Sequence, residues 1–131
     1  MNPIAAIPFP MTSGPRQRPT LMSVVLPAYN ESLNLATLLP DLAAQLTGLA
    51  DQLELLVVDD GSSDDTALLV QGLIQQGLPL RLLRLSRNFG KEAALTAGLD
   101  AADGDVVITM DSDGQHPIAT LLEMLPAWRE G

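Results

Sequence analysis

At 131 residues and 13.9 kDa the chain carries about one domain's worth of sequence, and 47% hydrophobic with 18% charged residues supplies a packed core and excludes a disordered polyelectrolyte. Sixteen acidic against seven basic residues leave a net charge of −9, which opposes a phosphate-dominated nucleic-acid interface. The absence of cysteine removes disulfides, thiolate metal sites and thiol nucleophiles; a lone histidine, His116, removes multi-histidine sites; and no apolar run reaches the ~18 residues that would cross a bilayer.

Residues 1–20 hold five of the ten prolines, with Arg16 and Arg18 near their end and no signal-peptide core, and read as a disordered lead-in or a short presequence. Regular pattern begins with an apolar, Val-containing run over 21–27, a strand, followed by Leu35, Leu38, Leu39, Leu42, Leu46 and Leu49 at helical spacing. Pro40 falls inside that helix and is expected to start, kink or split it. A second apolar run, 53–58, ends in the turn-rich 59–66, after which Ala67, Val70, Leu73 and Ile74 resume the helical period, with Ser63 or Asp64 placed to cap it. The third run, 80–85, precedes an Ala-rich helix through Ala93, Ala94, Ala97 and Ala101. The fourth, 106–110, precedes a stripe of Leu121, Leu122, Leu125 and Trp128, with Pro117 suited to the helix start. The order βαβαβαβα implies an α/β fold with a mostly parallel sheet and helices on both faces.

In such a sheet ligands bind beyond the carboxyl ends of the strands, so the segments 27–31, 59–62, 86–91 and 111–113 are where chemistry belongs. Three of the four carry carboxylates. Neither a Walker loop nor Gly-x-Gly-x-x-Gly is present, so a nucleotide bound by this acidic chain needs a cation between its diphosphate and the protein.

Asp111 and Asp113, flanking one residue at a strand end, put two hard oxygen donors on one face, a set suited to Mg²⁺ or Mn²⁺; Gln115 and His116 follow as further ligands or phosphate contacts. The same aspartates would also serve to cap the helix beginning near Pro117. Asp59 and Asp60 admit two uses, an Asx turn with helix cap, or a carboxylate that accepts the imide N–H of uracil or guanine. Arg87 and Lys91 stand where a phosphate would also meet helix N–H groups, whereas Arg81 and Arg84 read as solvated strand residues. Tyr29 either stacks on a base or fills the crevice.

Together these loops resemble the N-terminal half of a family 2 glycosyltransferase of the GT-A (Rossmann-like) fold. Val24-Val25-Leu26-Pro27-Ala28-Tyr29-Asn30-Glu31 is similar to that family's first strand and nucleotide loop, Val57-Val58-Asp59-Asp60-Gly61-Ser62 to its second, and Asp111-Ser112-Asp113 to its DXD motif. Ser86-Arg87-Asn88-Phe89-Gly90-Lys91 with Asp113-Gly114-Gln115-His116-Pro117 resembles the branch of polyprenyl-phosphate glucosyltransferases and dolichyl-phosphate mannosyltransferases.

The resemblance runs from about Met22 to Gly131, so that 1–20 is expected to be a disordered segment and 21–131 the donor-binding part of a longer domain. It implies that Pro27, Tyr29, Glu31, Val58, Asp59, Asp60 and Lys91 line the nucleotide-sugar pocket and that Asp111 and Ser112 approach ribose and diphosphate. Asp113 and Gln115 then hold Mg²⁺ or Mn²⁺, with Asp111 and Asp113 the catalytic pair. The implied reaction moves a sugar from a UDP- or GDP-sugar to a lipid phosphate with inversion, at the cytoplasmic face of a membrane reached through segments beyond this chain. A nucleotide-binding module without catalysis and a receiver-like Mg²⁺ domain are the competing expectations.

Overall fold

The computed structural model describes residues 4–6 and 20–111. Its sheet comprises β1 (Ile4–Ala6), β2 (Leu21–Ala28), β3 (Gln52–Asp59), β4 (Leu80–Arg84) and β5 (Val106–Thr109) in the spatial order β1-β5-β2-β3-β4. The last four are mutually parallel, and β1 runs antiparallel to β5. The helices are α1 (Ser32–Leu46), α2 (Thr66–Gln75) and α3 (Lys91–Ala101), each following a strand as the sequence pattern requires. The helix expected after Pro117 lies outside the described residues.

One expectation needs correction. Within the lead-in expected to be disordered, Ile4–Ala6 forms a strand, with Ile4 opposite Ile108 and Ala6 opposite Val107. An uncovered β5 would present a row of unpaired backbone donors and acceptors, and a short apolar segment satisfies them.

β2 sits inside the sheet and is buried from Met22 to Ala28. Side chains alternate across a strand. Met22, Val24, Leu26 and Ala28 therefore meet Leu35, Leu39 and Leu42 of α1 and Val70 and Leu73 of α2 on one face. On the other, Val25 with Leu56, Val58 and Val107 meets Ala94 and Leu95 of α3. Covering both faces explains why the strands read as unbroken apolar runs. Helix α1 continues through Pro40. Pro40 and Ala36 both face solvent, so water can take the Ala36 carbonyl that the missing donor leaves free.

Two details fix the α3 side. At Gly98 an added Cβ would stand 2.4 Å from Val25 Cγ1 and 2.9 Å from Val58 Cγ2, so the helix lies directly on the sheet. At the amino end of the strands, away from their tips, buried Glu54 accepts hydrogen bonds from Ser23 Oγ (2.6 Å), Arg81 and the Asp103 N–H (3.3 Å). Gly104 N–H in turn donates to Ser23 Oγ at 2.9 Å. Burial is the largest single influence on Glu54 and pushes its pKa up. The hydrogen bonds from Arg81, Ser23 and Asp103 together outweigh it, and the net direction is down. Arg81, itself half exposed, reaches across to the buried Glu54, and Arg84, also exposed, pairs with Asp59 (3.5 Å).

The two helical glycines should respond oppositely to alanine. Gly72 has open space, so Gly72→Ala should raise stability by about 0.5–1 kcal/mol through helix propensity. Gly98→Ala should lower it by about 1 kcal/mol, because overpacking against two core valines exceeds that gain; urea unfolding of the two variants checks the signs. For Glu54, a folded-state pKa below the unfolded value means stability that is present above the ordinary glutamate range and is lost as pH falls through it, near 4.5 and below. Glu54→Gln should cost about 1–2 kcal/mol at neutral pH. Its deficit against the natural protein should shrink in acid, as read from unfolding midpoints across pH 3–7.

Candidate functional site

Parallel pairing brings Ala28 opposite Asp59, Asp59 opposite Arg84 and Val25 opposite Thr109, so the tips of β2, β3, β4 and β5 share one edge of the sheet. A cavity of about 330 Å³ opens there. Pro27, Ala28, Tyr29 and Glu31 form its β2 side; Asp60 contributes from just beyond β3; Asn88 and Gly90 come from the loop before α3 and Lys91 from its first residue; and Asp111 comes from just beyond β5.

The loops are tied to one another rather than free-standing. Asn30 has a positive φ of 53°, in the left-handed region that Asn tolerates better than most residues. That turn lets its Oδ1 accept from the N–H groups of Ser63 (2.8 Å) and Asp64 (3.2 Å), while its own N–H donates to Ser62 Oγ (2.9 Å). Glu31 N–H donates to Thr66 Oγ1 at 3.2 Å. Asp64 does not occupy the N-cap position of α2, which is Asp65; its carboxylate instead accepts from Thr66 N–H (2.9 Å) and Ser32 N–H (3.4 Å), joining the starts of two helices. The hydrogen bond from the Thr66 hydroxyl is the main reason its pKa lies below the usual aspartate value.

Asp60 performs the same service for the third loop. Only 3% exposed, it accepts from Phe89 N–H (2.8 Å) on one oxygen and from Gly90 N–H (3.0 Å) and Asn88 Nδ2 (3.2 Å) on the other. The two loops touch so closely that a Cβ on Gly61, whose φ is +74°, would lie 2.3 Å from the Arg87 carbonyl carbon.

The neighbouring Asp59 points elsewhere. It is 1% exposed, accepts from Ser62 N–H (2.9 Å), pairs with Arg84 and does not line the cavity. The reason is strand alternation, which sends adjacent side chains to opposite sides. Val58 is likewise set apart from the cavity lining, being fully buried under α3. Of the expected pocket residues, Pro27, Tyr29, Glu31, Asp60, Lys91 and Asp111 are brought together. Arg87 is turned to the Phe89 ring, 4.8 Å from its centroid. Ser112, Asp113, Gln115 and His116 lie outside the described residues. The sequence alone does not assign the roles of Asn88 and Asn30, although an asparagine in a strand-end loop is a common sign of side-chain bonding to backbone.

Lys91 Nζ forms an ion pair with Asp111 Oδ1 across the cavity, joining the first residue of α3 to the end of the β5 segment. Among the described residues no three acidic or imidazole groups gather closely enough to hold a cation by themselves.

A family model for glycosyl transferase family 2 matches residues 23–131. The chain belongs to this family. An uncharacterized glycosyltransferase of Synechocystis sp. is 43% identical over 110 residues, 84% of this chain and 35% of the relative. The undecaprenyl-phosphate 4-deoxy-4-formamido-L-arabinose transferase of Aeromonas hydrophila is 38% identical over 112 residues, 85% of this chain and 34% of the relative. Among solved structures, the mannosyltransferase PcManGT from Pyrobaculum calidifontis in complex with GDP-Man and Mn²⁺ superposes with a TM-score of 0.64 at 30% identity, covering 86% of this chain and 31% of its own. TarS 1–349 of S. aureus in complex with UDP-GlcNAc gives 0.66 at 31%, covering 80% and 30%.

The fold is that of the GT-A glycosyltransferases, as the strand-tip motifs implied. The chain spans about a third of the length of the curated relatives it matches. Family membership, with Pro27 and Ala28 where a receiver domain would place its acidic pair, sets aside the receiver-like alternative.

Replacing Asp60 by Ala removes the acceptor shared by three loop donors. Stability should fall by about 2–3 kcal/mol, and amide hydrogen exchange should accelerate selectively at Phe89 and Gly90.

Proposed function

We propose that the protein of which this chain is the donor-binding part transfers a sugar from a UDP- or GDP-sugar to a polyprenyl or dolichyl phosphate, with inversion at the anomeric carbon. The observation that carries this reading is the meeting of Tyr29, Asp60, Lys91 and Asp111 around one cavity at the strand tips of a family 2 chain. The relatives named for polyprenyl-phosphate sugar transfer support the acceptor, and solved neighbours holding GDP-Man or UDP-GlcNAc support the donor.

Tyr29 is half exposed at the cavity wall, where its ring can stack on a nucleobase. An ionised carboxylate offers about four acceptor positions. Asp60 uses three of them to shape the loop, leaving one for the imide N–H of uracil or guanine. Lys91 brings a mobile ammonium to the phosphate side, beside the N–H groups at the start of α3.

The donor set fits a hard divalent cation, Mg²⁺ or Mn²⁺: Asp111 lines the cavity with a carboxylate, and such ions are commonly held by one or two carboxylates together with substrate phosphates. By resemblance Asp113 and Gln115 would complete its protein ligands, and Ser112 would meet the diphosphate. A cation held there would supply stabilisation of the charge that builds on the departing nucleoside diphosphate. An acceptor phosphate is already anionic at neutral pH, which relaxes the need for a strong base.

Among the described residues no helix is long and apolar enough to cross a membrane. The proposed place of action, the cytoplasmic face of a membrane, follows from the lipid acceptor and relies on segments beyond the described ones.

Calorimetric titration of the full protein with UDP, GDP and ADP, with and without Mn²⁺, should show metal-dependent binding of UDP or GDP and none of ADP. Asp113→Ala should weaken that binding at least tenfold, about 1.4 kcal/mol. Absence of binding for every nucleotide would refute the donor site, and binding without sugar transfer to a polyprenyl phosphate would reduce the protein to a nucleotide-binding module.

A further inference from the structure

The cavity wall carries three carboxylates, Glu31, Asp60 and Asp111, and one ammonium, Lys91. Asp60 is largely engaged by its loop hydrogen bonds. Asp111 is joined to Lys91. Lys91 is the first residue of α3, and a cation there opposes the helix dipole, so helix stability does not account for its position. Its side chain is 60% exposed against 28% for Asp111, and a flexible four-carbon stem lets the ammonium leave without disturbing the core.

We propose that Lys91 is the resident counter-cation of Asp111: it occupies that carboxylate when no donor is bound, and passes to the donor's diphosphate when a divalent cation enters the site. The inference rests on the donor-site reading above and adds to it a coupling between the two ligands. A metal ion arriving alone meets a carboxylate already paired and must compete with an internal positive charge, whether Asp111 is its direct ligand or stands beside it. A nucleoside diphosphate arriving alone brings negative charge toward Glu31, Asp60 and Asp111. When both arrive, the metal offsets the charge on the aspartate side and the ammonium gains phosphate oxygens. Metal and nucleotide therefore bind cooperatively, and by linkage each tightens the other by the same factor.

The test is Mn²⁺ binding to the full protein, read from the electron paramagnetic resonance signal of the free ion, without nucleotide and then with UDP or GDP. Lys91→Met should bind Mn²⁺ alone about two- to fivefold more tightly, the range expected for removing a competing exposed ion pair. The factor by which nucleotide strengthens Mn²⁺ binding should shrink in the same variant. Lys91→Arg, which keeps the charge, should retain the natural pattern. An unchanged or weaker Mn²⁺ affinity for Lys91→Met without nucleotide overturns the counter-cation role. A natural protein in which neither UDP nor GDP alters Mn²⁺ affinity overturns the donor-site reading and with it the passage to diphosphate. The nucleotide-free comparison decides the competition at Asp111 independently of that result.

Discussion

The Asp60 carboxylate holds the site together. Buried at the end of β3, it gathers the N–H groups of Phe89 and Gly90 and the Asn88 amide, and so pins the loop that delivers Lys91 to the cavity. A buried carboxylate is tolerable only because those donors replace water. The arrangement keeps Gly90 at a φ of 107°, a backbone conformation that L side chains rarely adopt, and presses Gly61 against the Arg87 backbone, where an added Cβ would clash. Asn30 and Asp64 do the equivalent on the α1 and α2 side. The strand-tip loops are thus a single cross-linked rim on a rigid parallel sheet, which is the kind of support a preorganised binding site needs.

This rim is built from acceptors, and that decides what it can bind. A chain of net charge −9 cannot attract a diphosphate by its overall field. Under the proposed function, selective binding would come from local pairs: donors near the start of α3 for phosphate, a cation beside Asp111, and an acceptor for a base edge at Asp60. The Lys91–Asp111 pair sets a positive partner against one of the cavity's carboxylates.

Two aspartates that look equivalent in the sequence have opposite fates. Asp59 and Asp60 are adjacent, yet Asp59 turns under the rim to Ser62 and Arg84 while Asp60 faces the cavity. Val58 and Val25 pack under Gly98 on the α3 side, so a position inside a strand-end motif is not thereby a position in the pocket. Arg81 stays half exposed, as its alternation with apolar neighbours suggests, yet its guanidinium also pairs with the buried Glu54 on the next strand, a contact the local pattern does not show.

Local pattern alone determined the strands and helices, their alternation and the edge of the sheet where chemistry gathers, because hydrophobic period and turn residues act over a few positions of chain. The four strand-tip motifs taken jointly also determined the family, since each is short but their order and spacing are restrictive. Tertiary structure decided which side of each strand end meets the cavity, the strand formed by Ile4–Ala6 against β5, the asparagine and aspartate ties between loops, and the pairing of Lys91 with Asp111. Each of these joins residues about 20 to more than 100 positions apart. No local propensity encodes such contacts; they follow only once the parallel register has fixed which strand tips are neighbours.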